Sequence, residues 1–120
     1  MTVSRAKGAK AKCDRLFSLI VRARGACENC GESRYAQLQT AHIISRRYSH
    51  TRCDLDNAYC LCAACHRAFT DHPVDFGAFV KFKNTNYGVL IIRSQDQAKK
   101  DWDDELVRLT AIWADIEAAA

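Results

Sequence analysis

No stretch of this chain holds the roughly 18 consecutive apolar residues that a bilayer-spanning helix needs. The N-terminal stretch does not read as a secretory signal either. The basic start (Arg5, Lys7, Lys10, Lys12) leads into an apolar run that is short and broken by Arg22 and Arg24. An uncleaved protein of the cell interior, with no membrane partner, is expected. There is no low-complexity segment beyond the alanine-rich end, and no repeat beyond a doubled Cys-x2-Cys turn. Proline occurs once, and Pro73 acts as punctuation because it disfavours helix at His72. A length of 120 residues suits one domain with extensions.

What the chain does have is cysteine, seven in all. In a reducing compartment, paired Cys-x2-Cys spacing points to zinc rather than disulfides. A Cys-x2-Cys turn sets two sulfurs on one tight bend, and two such turns from distant parts of the chain close a tetrahedral four-thiolate site. Its formation helps to fold a domain whose core is small. Cys27, Cys30, Cys62 and Cys65 are the predicted ligands of a structural Zn2+. Cys60 competes, since it lies two residues before Cys62 on a predicted strand, but it breaks the spacing and is assigned to the core. Cys13 and Cys53 have no paired partner and read as small buried hydrophobes.

Periodicity predicts a helix over residues 13–24, with Leu16, Phe17, Ile20 and Ala23 on one face and Gly25 ending it. The first cysteine turn follows over 26–34. Residues 35–44 alternate as a strand, with Leu38, Thr40, His42 and Ile44 on one face. A polar loop runs from Ser45 to Asp56, then a short strand from Ala58 to Leu61, then a helix from about Ala63 to Asp71. Residues 74–83 are a predicted helix with Phe76, Phe79, Val80 and Phe82 partly buried. Residues 87–94 are apolar and β-branched enough for strand, with helix as the alternative. In 96–118, Trp102, Leu106, Leu109, Trp113 and Ile116 form one helical stripe about two heptads long, packing on the core or on a second chain.

Charge is uneven. Residues 1–24 hold seven Lys/Arg against Asp14 alone, whereas 25–72 are balanced and 73–120 are slightly acidic. A second basic cluster, Arg46, Arg47 and Arg52, lies in the loop after His42. Basic groups there suit a phosphate backbone, because neutralising phosphates releases counterions. Between the cysteine turns lie His42 and Asn57, and His66 follows Cys65 directly. Phosphodiester cleavage needs a base for water, a divalent ion for the developing charge, and a group that orients the base. A His at a strand end, an Asn on the opposite strand and a His on the next helix can fill those roles.

The stretch Leu38-Gln39-Thr40-Ala41-His42-Ile43-Ile44, followed by Asp56-Asn57-Ala58-Tyr59-Cys60-Leu61-Cys62-Ala63-Ala64-Cys65-His66, resembles the cysteine-flanked HNH endonucleases of bacteriophages, prophages and restriction systems. The resemblance runs from about Ala26 to Pro73. It implies an α+β, ββα-metal (His-Me finger) core clamped by the four-cysteine zinc site, a catalytic Mg2+, Mn2+ or similar ion, DNA as substrate, and a bacterial cytoplasm as setting. By position, His42 matches the general base, Asn57 the central Asn and His66 the ion-binding His. The expected organisation is a basic extension and helix over 1–25, the nuclease core over 26–73, and a helical extension over 74–120. In most of the family an Asp or His precedes the base and helps to bind the ion; here the residue is Ala41. His50, His72 and Asp71 are candidate substitutes, and His42 as a ligand of a degenerate site is another reading. Two rivals follow: a non-catalytic zinc-ribbon-like module that binds nucleic acid or protein, and a chain that docks a second copy or a phage or host protein through residues 96–118.

Overall fold

The computed structural model describes residues 8–83 and 85–120. Arg5 and Lys7 of the basic extension lie outside the described residues. In chain order the elements are α1 (Ala9–Arg22), β1 (Leu38–His42), the single turn α2 (Ser49–Arg52), β2 (Ala58–Cys62), α3 (Ala63–Asp71), α4 (Pro73–Phe82), α5 (Tyr87–Ser94) and α6 (Trp102–Ala119).

The antiparallel hairpin β1–β2 pairs Leu38 with Cys62, Thr40 with Cys60 and His42 with Ala58. Strand alternation sends neighbouring side chains to opposite faces, and each face has its own helix. Toward α1, Thr40 Oγ1 bonds Ser18 Oγ at 3.1 Å and the His42 ring lies 5.4 Å from that of Phe17. Toward α3, Gln39 Oε1 meets His66 Nδ1 at 2.8 Å. Every residue of β2 is buried, as expected for a strand covered on both sides. This is the α+β, ββα-metal arrangement: two strands, a connecting loop and the helix that follows β2 without a break.

One core joins α1, the hairpin, α4 and α6. Phe17 and Val21 of α1, Leu38 and Ala41 of β1, Leu61 of β2, Phe79 of α4 and Leu109 of α6 belong to the same buried cluster. The stripe of α6 is spent here: Leu109 is fully buried, and Trp102, Leu106, Trp113 and Ile116 pack against the cluster. The buried Glu105 takes Lys100 at 3.1 Å and Arg108 at 2.6 Å, and Arg108 also donates to the Cys53 carbonyl.

Several sequence expectations need correction. α1 begins four residues early, and it buries Val21 while Ala23 lies outside the helix and exposed; Gly25, at φ +89°, supplies the left-handed turn that stops it. The loop before Asn57 contains the α2 turn. Residues 87–94 are helix, started by Asn86 Oδ1 accepting from Val89 N–H; the short apolar run from Val89 to Ile92 carries no period that separates helix from strand. The last helix starts at Trp102 rather than 96, where Asp101 Oδ1 accepts from the N–H groups of Asp103 and Asp104. Phe82 is 83 % exposed instead of partly buried.

Candidate metal and catalytic site

The four sulfurs of Cys27, Cys30, Cys62 and Cys65 lie within 4.8 Å of one another, and Cys30 Sγ is 3.7 Å from Cys62 Sγ. Zinc–thiolate bonds of about 2.3 Å in a tetrahedron require sulfurs at nearly that spacing, so the donor set fits Zn2+. The two turns are built alike. Cys27 Sγ accepts from Cys30 N–H at 3.5 Å, and Cys62 Sγ from Cys65 N–H at 3.4 Å. Gly31, at φ +83°, reverses the first turn in a conformation that a side chain would strain. Burial pushes the Cys27 thiol up, but backbone N–H groups of both turns outweigh it and bring it to about 6, whereas burial raises Cys65 to about 12. The first turn is also bolted to β2: Glu28 N–H donates to the Cys60 carbonyl and Glu28 Oε2 accepts from Cys60 N–H at 2.7 Å. Cys13, Cys53 and Cys60 are buried in the core, as expected, and take no part in the cluster.

His42 stands at the end of β1. Its Nε2 is 2.9 Å from the Arg52 carbonyl oxygen. A carbonyl only accepts, so Nε2 carries the proton and Nδ1 keeps the lone pair. Burial lowers the pKa of His42 below its ordinary value, and Arg46 and Arg52 add to the effect against the opposing pull of the Arg52 carbonyl and Asp14. The ring is therefore neutral, with one basic nitrogen.

Asn57 is fully buried and does not touch that ring. Its Oδ1 accepts from Ile44 N–H at 2.7 Å, and its Nδ2 donates to the carbonyls of Ile44 and Thr51 at 3.1 and 2.9 Å. It thereby clamps both ends of the loop whose Arg52 carbonyl holds His42. Asp14 of α1, absent from the sequence assignment, secures the same loop from outside: its two oxygens take Arg52 Nε and Nη2 at 2.8 Å each. Burial alone would raise the Asp14 carboxyl, but the hydrogen bond from Arg52 leads the opposing effects and holds it low.

That pairing corrects the role of Arg52. Its side chain is only 16 % exposed, engaged by Asp14, and its Nη1 donates to the Arg46 carbonyl, so it braces the loop instead of reaching outward. Arg46 stays 56 % exposed with one long contact to Asp14 at 3.5 Å, and Arg47 lies exposed over the Tyr48 ring.

His66 sits in the first turn of α3, half-buried, and burial lowers its pKa. The Gln39 oxygen accepts its Nδ1 proton, which leaves Nε2 as the free donor atom for a metal. Gln39 was missed because a lone Gln on a strand carries no motif; only its position on the α3 face of β1 marks it. His42 and His66 line one cavity of about 230 Å³, with Ala41 in its wall. No carboxylate among the described residues lines it. His50 points away, to the Ala98 carbonyl at 2.6 Å, and Asp71 and His72 are exposed outside the cavity. The cavity thus offers a catalytic ion one imidazole nitrogen at His66 and nothing at Ala41. That is an incomplete fit, with oxygen ligands left to substrate and water.

Residues 27–74 match the family model described as HNH endonuclease. This segment, from the first cysteine of the cluster to the start of α4, is similar to the HNH endonucleases. The match leaves α1, α5 and α6 outside. No curated protein and no solved structure matches the chain. Among the described residues, no helix is long and apolar enough to cross a membrane.

Proposed function

We propose that this chain is a divalent-metal-dependent endonuclease that hydrolyses DNA phosphodiester bonds, with His42 as the base. The observation that carries this reading is the tautomer of His42: its proton is committed to the Arg52 carbonyl, and Nδ1 keeps the lone pair of a neutral base. In the proposed reaction His42 Nδ1 takes a proton from a water attacking the scissile phosphorus in line. Asn57 and Asp14 are positioning residues that fix the loop, and through it the ring. His66 Nε2 is the atom that would hold a divalent ion, which when bound supplies positive charge for the phosphate and the departing oxygen. Arg46 and Arg47, exposed beside His42, are assigned to flanking phosphates.

Incubating zinc-loaded protein with duplex and single-stranded DNA, with and without Mn2+ or Mg2+, tests the proposal. Ion-dependent strand scission supports it. The missing carboxylate at Ala41 favours a second reading, a zinc-clamped module that binds nucleic acid without cutting. Folded protein that binds DNA but cleaves with neither ion would establish that alternative and contradict the first.

A further inference from the structure

His42 is the shared wall of two cavities. One is the pocket it forms with His66; the other is a cleft of about 380 Å³ between α1 and β1. Ser18 and Arg22 line this cleft from α1, Thr40 and His42 from β1, and Arg46 from the loop. Ser18 and Arg22 are one helical turn apart on one face, and Thr40 and His42 share one face of a strand at a separation of about 7 Å. The cleft thus places these polar groups beside the base, with Phe17 and Leu38 also in its wall.

Its charge is positive. Asp14, its one carboxylate, is already neutralised by the two-point contact with Arg52. That leaves Arg46 and Arg22. Arg22 is pre-positioned: its Nε donates to Ser18 Oγ at 3.1 Å and to the Ser18 carbonyl at 3.2 Å, and its guanidinium lies 5.3 Å from the Tyr35 ring centre. Both Nη groups have no hydrogen-bond partner among the described residues. A guanidinium fixed by one nitrogen and open at two is suited to the paired oxygens of a phosphate.

We infer that the α1–β1 cleft is a second phosphodiester site, in which Arg22 and Arg46, with the Ser18 hydroxyl, hold the nucleic-acid backbone beside the phosphate that faces His42. Arg22 lies outside the segment matched to the HNH family, so α1 adds a substrate contact which that segment does not contain. The inference rests on the nuclease reading and is testable apart from it.

The full-length, zinc-loaded His42→Ala protein, which should not cut, is titrated with a labelled oligonucleotide over a range of salt concentrations. Arg22→Gln should weaken binding several-fold at low salt and reduce the slope of log K against log salt by about 0.7–0.9, the value for one lost phosphate contact. Arg22→Lys should restore the slope. Ser18→Asp keeps an acceptor for Arg22 Nε but puts an anion in the cleft. It should weaken oligonucleotide binding without loss of fold, which covers the case in which Arg22→Gln fails to fold. Inorganic phosphate competing only at far higher concentration than the oligonucleotide would identify a strand, not a free anion, as the ligand; equal potency would overturn that assignment. Unchanged slopes in folded Arg22→Gln and Ser18→Asp would overturn the cleft while leaving the nuclease reading intact. No binding by the parent at any salt would overturn both.

Discussion

At His42, two neighbours decide the chemistry: the Arg52 carbonyl takes one ring proton, and burial keeps the other nitrogen unprotonated. The folded pKa lies below the ordinary value of about 6.5. The neutral base therefore persists as pH falls through 6.5, and it is lost only at the lower folded pKa. A pH–rate profile of kcat/KM at fixed ion concentration should show its acid limb below 6.5; a limb above 6.5 would be inconsistent with this environment. By linkage the same shift contributes stability that is present above 6.5 and lost as pH falls through the folded value. Ala41 offers a complementary test. It is 2 % exposed and lines the His42–His66 cavity, so Ala41→Asp would direct a carboxylate there. Tighter Mn2+ binding by calorimetry and faster cleavage are expected. Unchanged affinity would show that the ion does not sit beside Ala41.

The elements were unequally legible. The cysteine turns, β2 and α3 were readable because spacing and local chemistry define them: Cys-x2-Cys demands a bend, and Pro73 demands a stop after Asp71. The role of Asn57 was only half readable. Its place in the His-Asn-His series marked it, but its bonds go to Ile44 and Thr51, contacts that no spacing encodes. Asp14 and Gln39 were invisible for the same reason, each acting across elements on a residue remote in sequence. The helical α5 was ambiguous because the short apolar run from Val89 to Ile92 satisfies either period. Asn57→Ala strips partners from three backbone groups of a buried loop, at about 1–3 kcal/mol each. Asn57→Asp keeps the acceptor for Ile44 N–H but loses both donations. Urea denaturation should rank wild type above Asn57→Asp and Asn57→Ala, with cleavage lost in both; wild-type stability in Asn57→Ala would refute the clamp.

At the scale of the whole molecule, the four-cysteine cluster and the α1–α6 packing both hold the hairpin. The four cysteines tie the first turn to the start of α3, and Glu28 extends that tie to the middle of β2. Across the core, α6 covers α1 with Leu109 fully buried, and Arg108 reaches the Cys53 carbonyl just past Arg52, whose carbonyl meets His42. The amphipathic stripe that suggested a docking helix packs on the chain's own core, with Leu109 fully buried and Trp102, Leu106, Trp113 and Ile116 partly buried against it. A chain ending at Gln95 should lose its cooperative thermal transition. A folded truncated chain with an altered oligomeric state in size-exclusion chromatography would return the stripe to an intermolecular role.

The most direct measurement of the central claim is conversion of supercoiled plasmid to open-circular or linear DNA by zinc-loaded wild type and by His42→Ala, with Mn2+, Mg2+ or EDTA, alongside zinc content and DNA affinity. The expected result is ion-dependent nicking by the wild type and none by the variant, with zinc and binding preserved in both. Equal nicking by folded His42→Ala would contradict the assignment of the base, and no nicking by folded wild type with either ion would contradict the nuclease.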